Sequence, residues 1–557
     1  MISPEGTRSR AVGERKILLS PNRRPRRALA CPLLFAALAV IPHSLHAQAG
    51  APGSQAESTP APHTSSIIVR ARLVVLDVVV TDKNGNAVDN LTANDFQVFE
   101  DGRLQRIRSV EPPSAHVLPP ETAAAGAAAV LDPAQPASFG HAPVTILLLD
   151  QLNTHFADSS FARRALHDYL VKQPPVLAQP ATLLSLSDNR LNLLQGFTLD
   201  RDALLHALAA TPTKYAWELE VNGKADHGPI DRLDQSLHAL EAIAQNYAAI
   251  QGRKNLIWVG GGFPTLDPAT ITSPDAREVK DTLQHVTDVL LDTRVTLYAV
   301  DPSSSLPGMT EITNDEQQMF ALATGGDNMA AAADPFGSQD DFNALGPVTG
   351  GRVVRGRNDV AQLIGASVQS GASFYTIAYS PDSASEAVAA YRKIKVVCLR
   401  PGLTATTRSG YYTGRSEQER SVSSAAYDLT AAAEGPLPLN GLHVTATPDP
   451  SPAAAPDTYI VRVSASQLTW QPKDDGASTA SVYIMAVSFN AKSRMLNHTL
   501  HGMLANAKPN VDLRDPHRLA DFVFTATPAP KATGLRFIVR DSATGRMGSI
   551  DLTLPKR

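Results

Sequence analysis

The amino-acid sequence describes an α/β protein: a doubly wound, mostly parallel sheet, with a small β unit before it and a β-sandwich after it. Three patterns carry this reading. Fully apolar runs with a polar end, such as residues 144–149 closed by Asp150, have the character of parallel strands buried on both faces. Amphipathic helical stretches separate these runs, the alternation that right-handed crossovers produce. On both flanks the apolar period falls to two, the signature of half-buried strands.

The 557 residues divide as follows. Residues 1–49 have the pattern of a signal peptide. The basic stretch Arg23-Arg24-Pro25-Arg26-Arg27 precedes an apolar run over 28–41, which is shorter than the ~20 residues a spanning helix needs. Small residues at Leu45-His46-Ala47 and Ala47-Gln48-Ala49 offer cleavage sites. The expectation is export, to the periplasm or beyond the cell, with no transmembrane segment in the mature chain. Removing 1–49 takes away eight basic and two acidic residues, which moves the net charge from −4 to about −10. So acidic a chain excludes nucleic acid as a partner and has no electrostatic attraction to anionic lipid.

Residues 50–66 form a linker rich in Ala, Pro, Ser and Thr. The small β unit covers 67–111. Val74, Leu76, Val78 and Val80 alternate there, Lys83-Asn84-Gly85-Asn86 supplies a tight turn, and Asp101-Gly102 a second one. A unit of this size sits near the lower limit for independent folding and is expected to pack on a neighbour. A Pro- and Ala-rich linker over 112–142 follows.

The α/β domain spans 143–413. Its buried strands are expected at 144–149, 182–186, 255–259, 295–300 and 374–379, and its helices after Asp158-Ser159 and at 233–249, 276–291, 315–323 and 359–369. A linker over 414–435 leads to the β-sandwich, 436–557, with strands at 459–463, 482–489, 522–525 and 535–540. Once Cys31 leaves with the signal, Cys398 is the sole thiol, expected as a buried strand cysteine that forms no bridge.

In an open doubly wound sheet, ligands bind beyond the carboxyl ends of the strands. The loop Asp150-Gln151-Leu152-Asn153-Thr154 ends the first strand with a carboxylate, an amide and a hydroxyl, the hard oxygen donors that suit Mg²⁺ or Ca²⁺. Together with Gly252-Arg253-Lys254-Asn255-Leu256-Ile257-Trp258-Val259, Leu297-Tyr298-Ala299-Val300-Asp301 and Thr349-Gly350-Gly351-Arg352, this run resembles a von Willebrand factor type A domain. With the preceding Val78-Val79-Val80-Thr81-Asp82, Asn94-Asp95-Phe96 and Phe99-Glu100-Asp101-Gly102, the set is similar to a family of exported bacterial proteins related to that domain. The likeness covers residues 67–412.

The resemblance implies an adhesion-type interaction domain, in which a metal-ion-dependent site opens with D-x-S-x-S and a partner carboxylate completes the coordination. Asp150, Asn153 and Thr154 are then the ligand candidates for Mg²⁺ or another divalent cation. Two departures mark the site as degenerate: Leu152 stands at the middle serine, and Gly260-Gly261-Gly262 stands where a T-D-G turn supplies a later aspartate.

Catalytic motifs are absent from the sequence: it has no G-x-S-x-G elbow, H-E-x-x-H, C-x-x-C or P-loop. The expected function is therefore non-enzymatic binding of an unidentified protein partner at the carboxyl face of the sheet. The segment between Thr324 and Thr349, with Asp340-Asp341, is a candidate contact loop. Two alternatives stand beside it: a divalent-metal-dependent hydrolase using Asp150 and Asp301, and a structural component of an envelope assembly.

Overall fold

A computed structural model of the chain describes residues 73–187, 190–211, 229–263, 273–302, 345–354, 359–381, 390–413, 422–435, 437–451, 455–473, 475–491, 494–515 and 517–555. The expected helix over 315–323 and the candidate contact loop before Thr349 lie outside these residues, apart from the loop's last few positions.

Six strands make the central sheet, in the spatial order Arg352–Val354, Val295–Val300, Lys254–Val259, Val144–Asp150, Val176–Ser187, Arg190–Asp200. The first five are parallel and the last is an antiparallel edge. Every residue of Val144–Asp150 is buried, which explains its unbroken apolar run: alternate side chains enter two different cores. Ile146 and Leu148 pack with Leu233, Leu237 and Leu240 of the helix Pro229–Asn246 and with Val286 and Leu290 of the helix Ser273–Asp292. Leu147 and Leu149 face Leu166 and Leu170 of the helix Phe156–Val171 and Ile364 of the helix Val360–Ala372. Removing one such side chain, as in Leu240→Ala, costs about 2–5 kcal/mol because the surrounding layers cannot collapse onto the gap. The mostly parallel sheet covered on both faces agrees with the expected architecture.

One expected strand is elsewhere. Tyr375–Tyr379 does not join the central sheet; it pairs antiparallel with Val74–Thr81, Leu76 opposite Ile377, and with Ile107–Glu111. All five of its residues are buried, so its composition matches that of a central parallel strand. The N-terminal β unit is thereby completed by later chain. One four-stranded sheet orders Thr404–Thr406, Val74–Thr81, Tyr375–Tyr379 and Ile107–Glu111, and a second orders Gly410–Thr413, Ala390–Cys398, Phe96–Glu100 and Arg103–Gln105. Leu76, Val78, Phe96, Val98, Tyr375, Ile377 and Ile394 share its core. Cys398, at the end of its strand opposite Phe96, is partly exposed instead of buried.

Several motifs behind the family resemblance do structural work here. Thr92 and Asp95 form a capping box, and Asp95 also holds Arg400 at 2.9 Å. Asp77 pairs with Arg294, which joins this unit to the end of the helix Ser273–Asp292. Gly252 lies so close to Ala142 that a Cβ would come within 1.9 Å of the Ala142 carbonyl oxygen. Arg253, beside it, binds Tyr298 and Asn255 and lies over the Phe374 ring. Gly351 is similarly tight against Leu297, while Thr349 accepts the Leu297 N–H.

The stretches over 112–142 and 414–435 are not bare linkers. Residues 112–142 contain the helix Pro120–Ala125, and Phe139 is fully buried in the central core against Phe197. The stretch over 414–435 holds the helix Val422–Glu434. Beyond it, Val444–Pro448, Thr458–Ser464 and Leu519–Thr525 form one antiparallel sheet. Gln471–Pro472, Ser478–Phe489, Gly534–Asp541 and Met547–Thr553 form another, with Met495–Ala507 added to Ser478–Phe489. Val461, Val463, Phe522 and Phe524 meet Val482, Ile484, Phe537 and Val539 between the two sheets. Among the described residues no helix is long and apolar enough to cross a membrane.

Candidate functional site

The chain leaves Val144–Asp150 toward Val176–Ser187 on one side and returns to Lys254–Val259 on the other, so the order of the sheet switches beside Asp150. Such a switch point opens a crevice at the carboxyl edge. Asp150 and the Gly260-Gly261-Gly262 turn flank it, as the sequence anticipates.

Asp150 is fully buried, and its carboxylate organises the loop that follows. Oδ1 accepts the backbone N–H groups of Leu152 at 2.9 Å and Asn153 at 3.0 Å. Oδ2 accepts the indole N–H of Trp258 at 2.9 Å, across the switch point. Burial pushes the Asp150 carboxyl up to about 6, against the opposing pull of these donors. The Thr154 hydroxyl donates to the Asp150 carbonyl at 2.5 Å and accepts from the Gly261 N–H at 2.8 Å. Asn153 donates through Nδ2 to Ser236, while its buried Oδ1 accepts no hydrogen bond.

The glycine turn fits this loop closely. A Cβ on Gly260, whose φ is 153°, would lie 2.4 Å from Thr154 Oγ1, and one on Gly261 would lie 2.4 Å from the Asn153 carbonyl. The glycines therefore let two loop backbones touch, where a T-D-G turn would place a carboxylate. Phe263 closes over Trp258, with ring centroids 5.2 Å apart.

Asp150, Asn153 and Thr154 are thus brought together, with much of their donor capacity already used within the loop. Asp150 Oδ1 accepts two N–H groups, Oδ2 accepts one and keeps a lone pair, and Asn153 Oδ1 is unbonded. Asp301 ends Val295–Val300, which is two strands from Val144–Asp150, so the two backbones stand about 10 Å apart. Its backbone N–H donates to the Val354 carbonyl. Residues 303–305, which follow it, lie outside the described residues.

A second cluster escaped the sequence reading. Glu241 on Pro229–Asn246, His285 on Ser273–Asp292 and Asp428 on Val422–Glu434 each present one donor atom, all within 4.8 Å of one another, and as a group can hold a metal ion. Arg540 of Gly534–Asp541 donates through Nε to Asp428 Oδ2 at 2.7 Å. Burial and the facing Asp428 carboxylate push the Glu241 carboxyl up. Asp428 is held below the usual carboxylate range; burial opposes this, and His285 and Arg540 outweigh it. The one sequence signal was Glu241 itself, a carboxylate on the apolar helix face between Leu237 and Ala244.

No protein-family model and no curated protein matches the chain. Among solved structures, 48% of the chain is similar to 93% of the manganese-loaded Plasmodium vivax TRAP protein, at 10% identity and a TM-score of 0.20. The SpRpn10 VWA domain matches 29% of the chain over 90% of its own length, at 15% identity and a TM-score of 0.16. An endonuclease/exonuclease/phosphatase from Beutenbergia cavernae matches 34% of the chain and 39% of its own, at 13% identity and a TM-score of 0.10. At these TM-scores the likenesses carry no conclusion about fold or function.

Proposed function

We propose that this chain is an exported, non-enzymatic interaction protein of the von Willebrand factor A type, which binds a protein partner at the carboxyl edge of its central sheet. The observation that carries the reading is the switch point itself: the 150–154 loop and the glycine turn meet there, beneath the edge where such sheets bind ligands. In this reading the Asp150 carboxylate serves to organise the loop, through the Leu152, Asn153 and Trp258 N–H groups, and the loop surface provides the affinity without a shared cation. The Asp150 carboxylate is buried and bound by three protein N–H donors, so it lacks the exposed oxygen that a hydrolytic role shared with Asp301 would use.

The test is affinity capture with the full chain from envelope and secreted fractions. The wild type is compared with Asn153→Ala/His155→Ala, on the half-buried and exposed residues that flank Thr154, and with Leu496→Glu/Leu504→Glu, on two exposed leucines of the outer strand Met495–Ala507. Loss of one defined partner with the first variant alone supports the proposal. Loss with the second alone moves binding to the C-terminal unit, and partner-independent turnover of ester or phosphate substrates would replace the reading with an enzyme.

A further inference from the structure

The Glu241, His285 and Asp428 cluster lies where three elements from different parts of the fold converge. The helices Pro229–Asn246 and Ser273–Asp292 belong to the core over one face of the central sheet. Val422–Glu434 packs through Leu429, Ala432 and Ala433 on the outer face of the C-terminal five-stranded sheet, against Met485 and Ile538. Polar contact between the two units continues nearby, where Asn440 Nδ2 donates to the Asn246 carbonyl.

Three atoms point into the common space: Glu241 Oε1, His285 Nε2 and Asp428 Oδ1. His285 Nε2 is 2.9 Å from Asp428 Oδ1 and 3.7 Å from Glu241 Oε1. None of the three makes a hydrogen bond, and neither does Glu241 Oε2. Both separations are of ion-pair length, although neither is aligned as a hydrogen bond. Glu241 is 1% exposed. A buried carboxylate with no hydrogen bond on either oxygen is a costly arrangement, and here the imidazole at 3.7 Å is the cationic group that faces it.

We propose that Glu241, His285 and Asp428 bind a first-row divalent transition metal, with Zn²⁺ the preferred ion, and that this ion fastens the central unit to the C-terminal β unit. The donor set supports the choice, since an imidazole nitrogen selects against Mg²⁺ and Ca²⁺ while two carboxylates suit Zn²⁺ or Mn²⁺. Spacing agrees as well. Tetrahedral ligands at the usual Zn–N and Zn–O lengths stand about 3.3 Å from one another, and the two observed separations bracket that value. Asp428 is held in place from behind by Arg540, an outer partner of the kind that orients ligating carboxylates. The His285 side chain is 21% exposed, which opens the cluster to solvent for entry of the ion and a fourth, water ligand.

The experiment uses the full chain freed of metal by a chelator. One equivalent of Co²⁺ should give visible ligand-field bands that Zn²⁺ displaces, and Zn²⁺ should raise Tm in a chelator-reversible way. Glu241→Gln and His285→Asn should each weaken Zn²⁺ binding by more than the roughly 10–100-fold that follows loss of an outer partner. Glu241→Gln keeps the side-chain shape, and a cooperative metal-free unfolding transition reports that it folds. Absence of saturable one-equivalent binding would overturn the proposal. So would binding that survives both substitutions, since it would place the ion elsewhere, for instance on the exposed His498 and His501.

Discussion

The Trp258 indole N–H donates to Asp150 Oδ2 at 2.9 Å, with both side chains wholly buried and on adjacent strands at the switch point. This bond ties the loop after the first strand to the strand that carries the glycine turn. The pair should therefore be energetically coupled. Trp258→Phe removes the donor from a buried carboxylate, whereas in an Asp150→Asn background no carboxylate is left to suffer the loss. Urea unfolding of the wild type, both single variants and the double variant should give a coupling energy of about 1–2 kcal/mol. Additivity within about 0.5 kcal/mol would show that the bond is energetically idle.

The same carboxyl sets a pH dependence. Its folded value of about 6 lies above the ordinary 3.8, so the folded state holds a proton that the unfolded chain has released. The contribution to stability is full below the unfolded value and is lost as pH rises through about 6, amounting to about 3 kcal/mol. Between roughly pH 4 and pH 7 the wild type should lose about that much stability relative to Asp150→Asn, measured by denaturant titration at fixed ionic strength. Parallel curves would contradict the assignment.

Asp95 behaves in the opposite sense. The side-chain hydrogen bonds from Arg400, with the Thr92 N–H, hold its carboxyl at about 2. Its contribution is present above the unfolded value and disappears as pH falls through about 2. Asp95→Asn should thus be less stable than the wild type at neutral pH, and the two acid-unfolding curves should converge near that low limit.

Two glycines separate strain from collision. Gly85 has a φ of 82°, but a methyl added there would meet no atom within 4 Å, so Gly85→Ala should cost about 1–2 kcal/mol from backbone conformation alone. Gly260→Ala adds contacts of 2.4 Å to Thr154 Oγ1 and 2.6 Å to Asp150 Cβ. Its cost should exceed about 3 kcal/mol, toward the severe end of single substitutions. Thermal unfolding of the two variants side by side checks the order.

Much of the central unit was legible because burial on both faces writes a continuous apolar run into each strand, as at Val144–Asp150 and Lys254–Val259, and because a strand-end carboxylate marks the carboxyl edge. The position of Asp150, the amphipathic helices and the turn at Gly260–Gly262 could all be read that way. The edge strand Arg190–Asp200 was missed, since its alternation is broken at Leu193-Leu194 and its register against Val176–Ser187 shifts, and Tyr375–Tyr379 was given to the wrong sheet. An apolar run reports how deeply a strand is buried, but not which strand it pairs with.

The sequence by itself determined the local elements, the switch-point loop and the absence of catalytic motifs, because propensity, periodicity and turn chemistry act over a few neighbouring residues. Only the tertiary structure decided that later strands complete the N-terminal unit, that Trp258 occupies Asp150, and that Glu241, His285 and Asp428 converge. Those outcomes depend on how separate helices and sheets pack against one another, and packing brings together residues whose separation along the chain carries no trace of it.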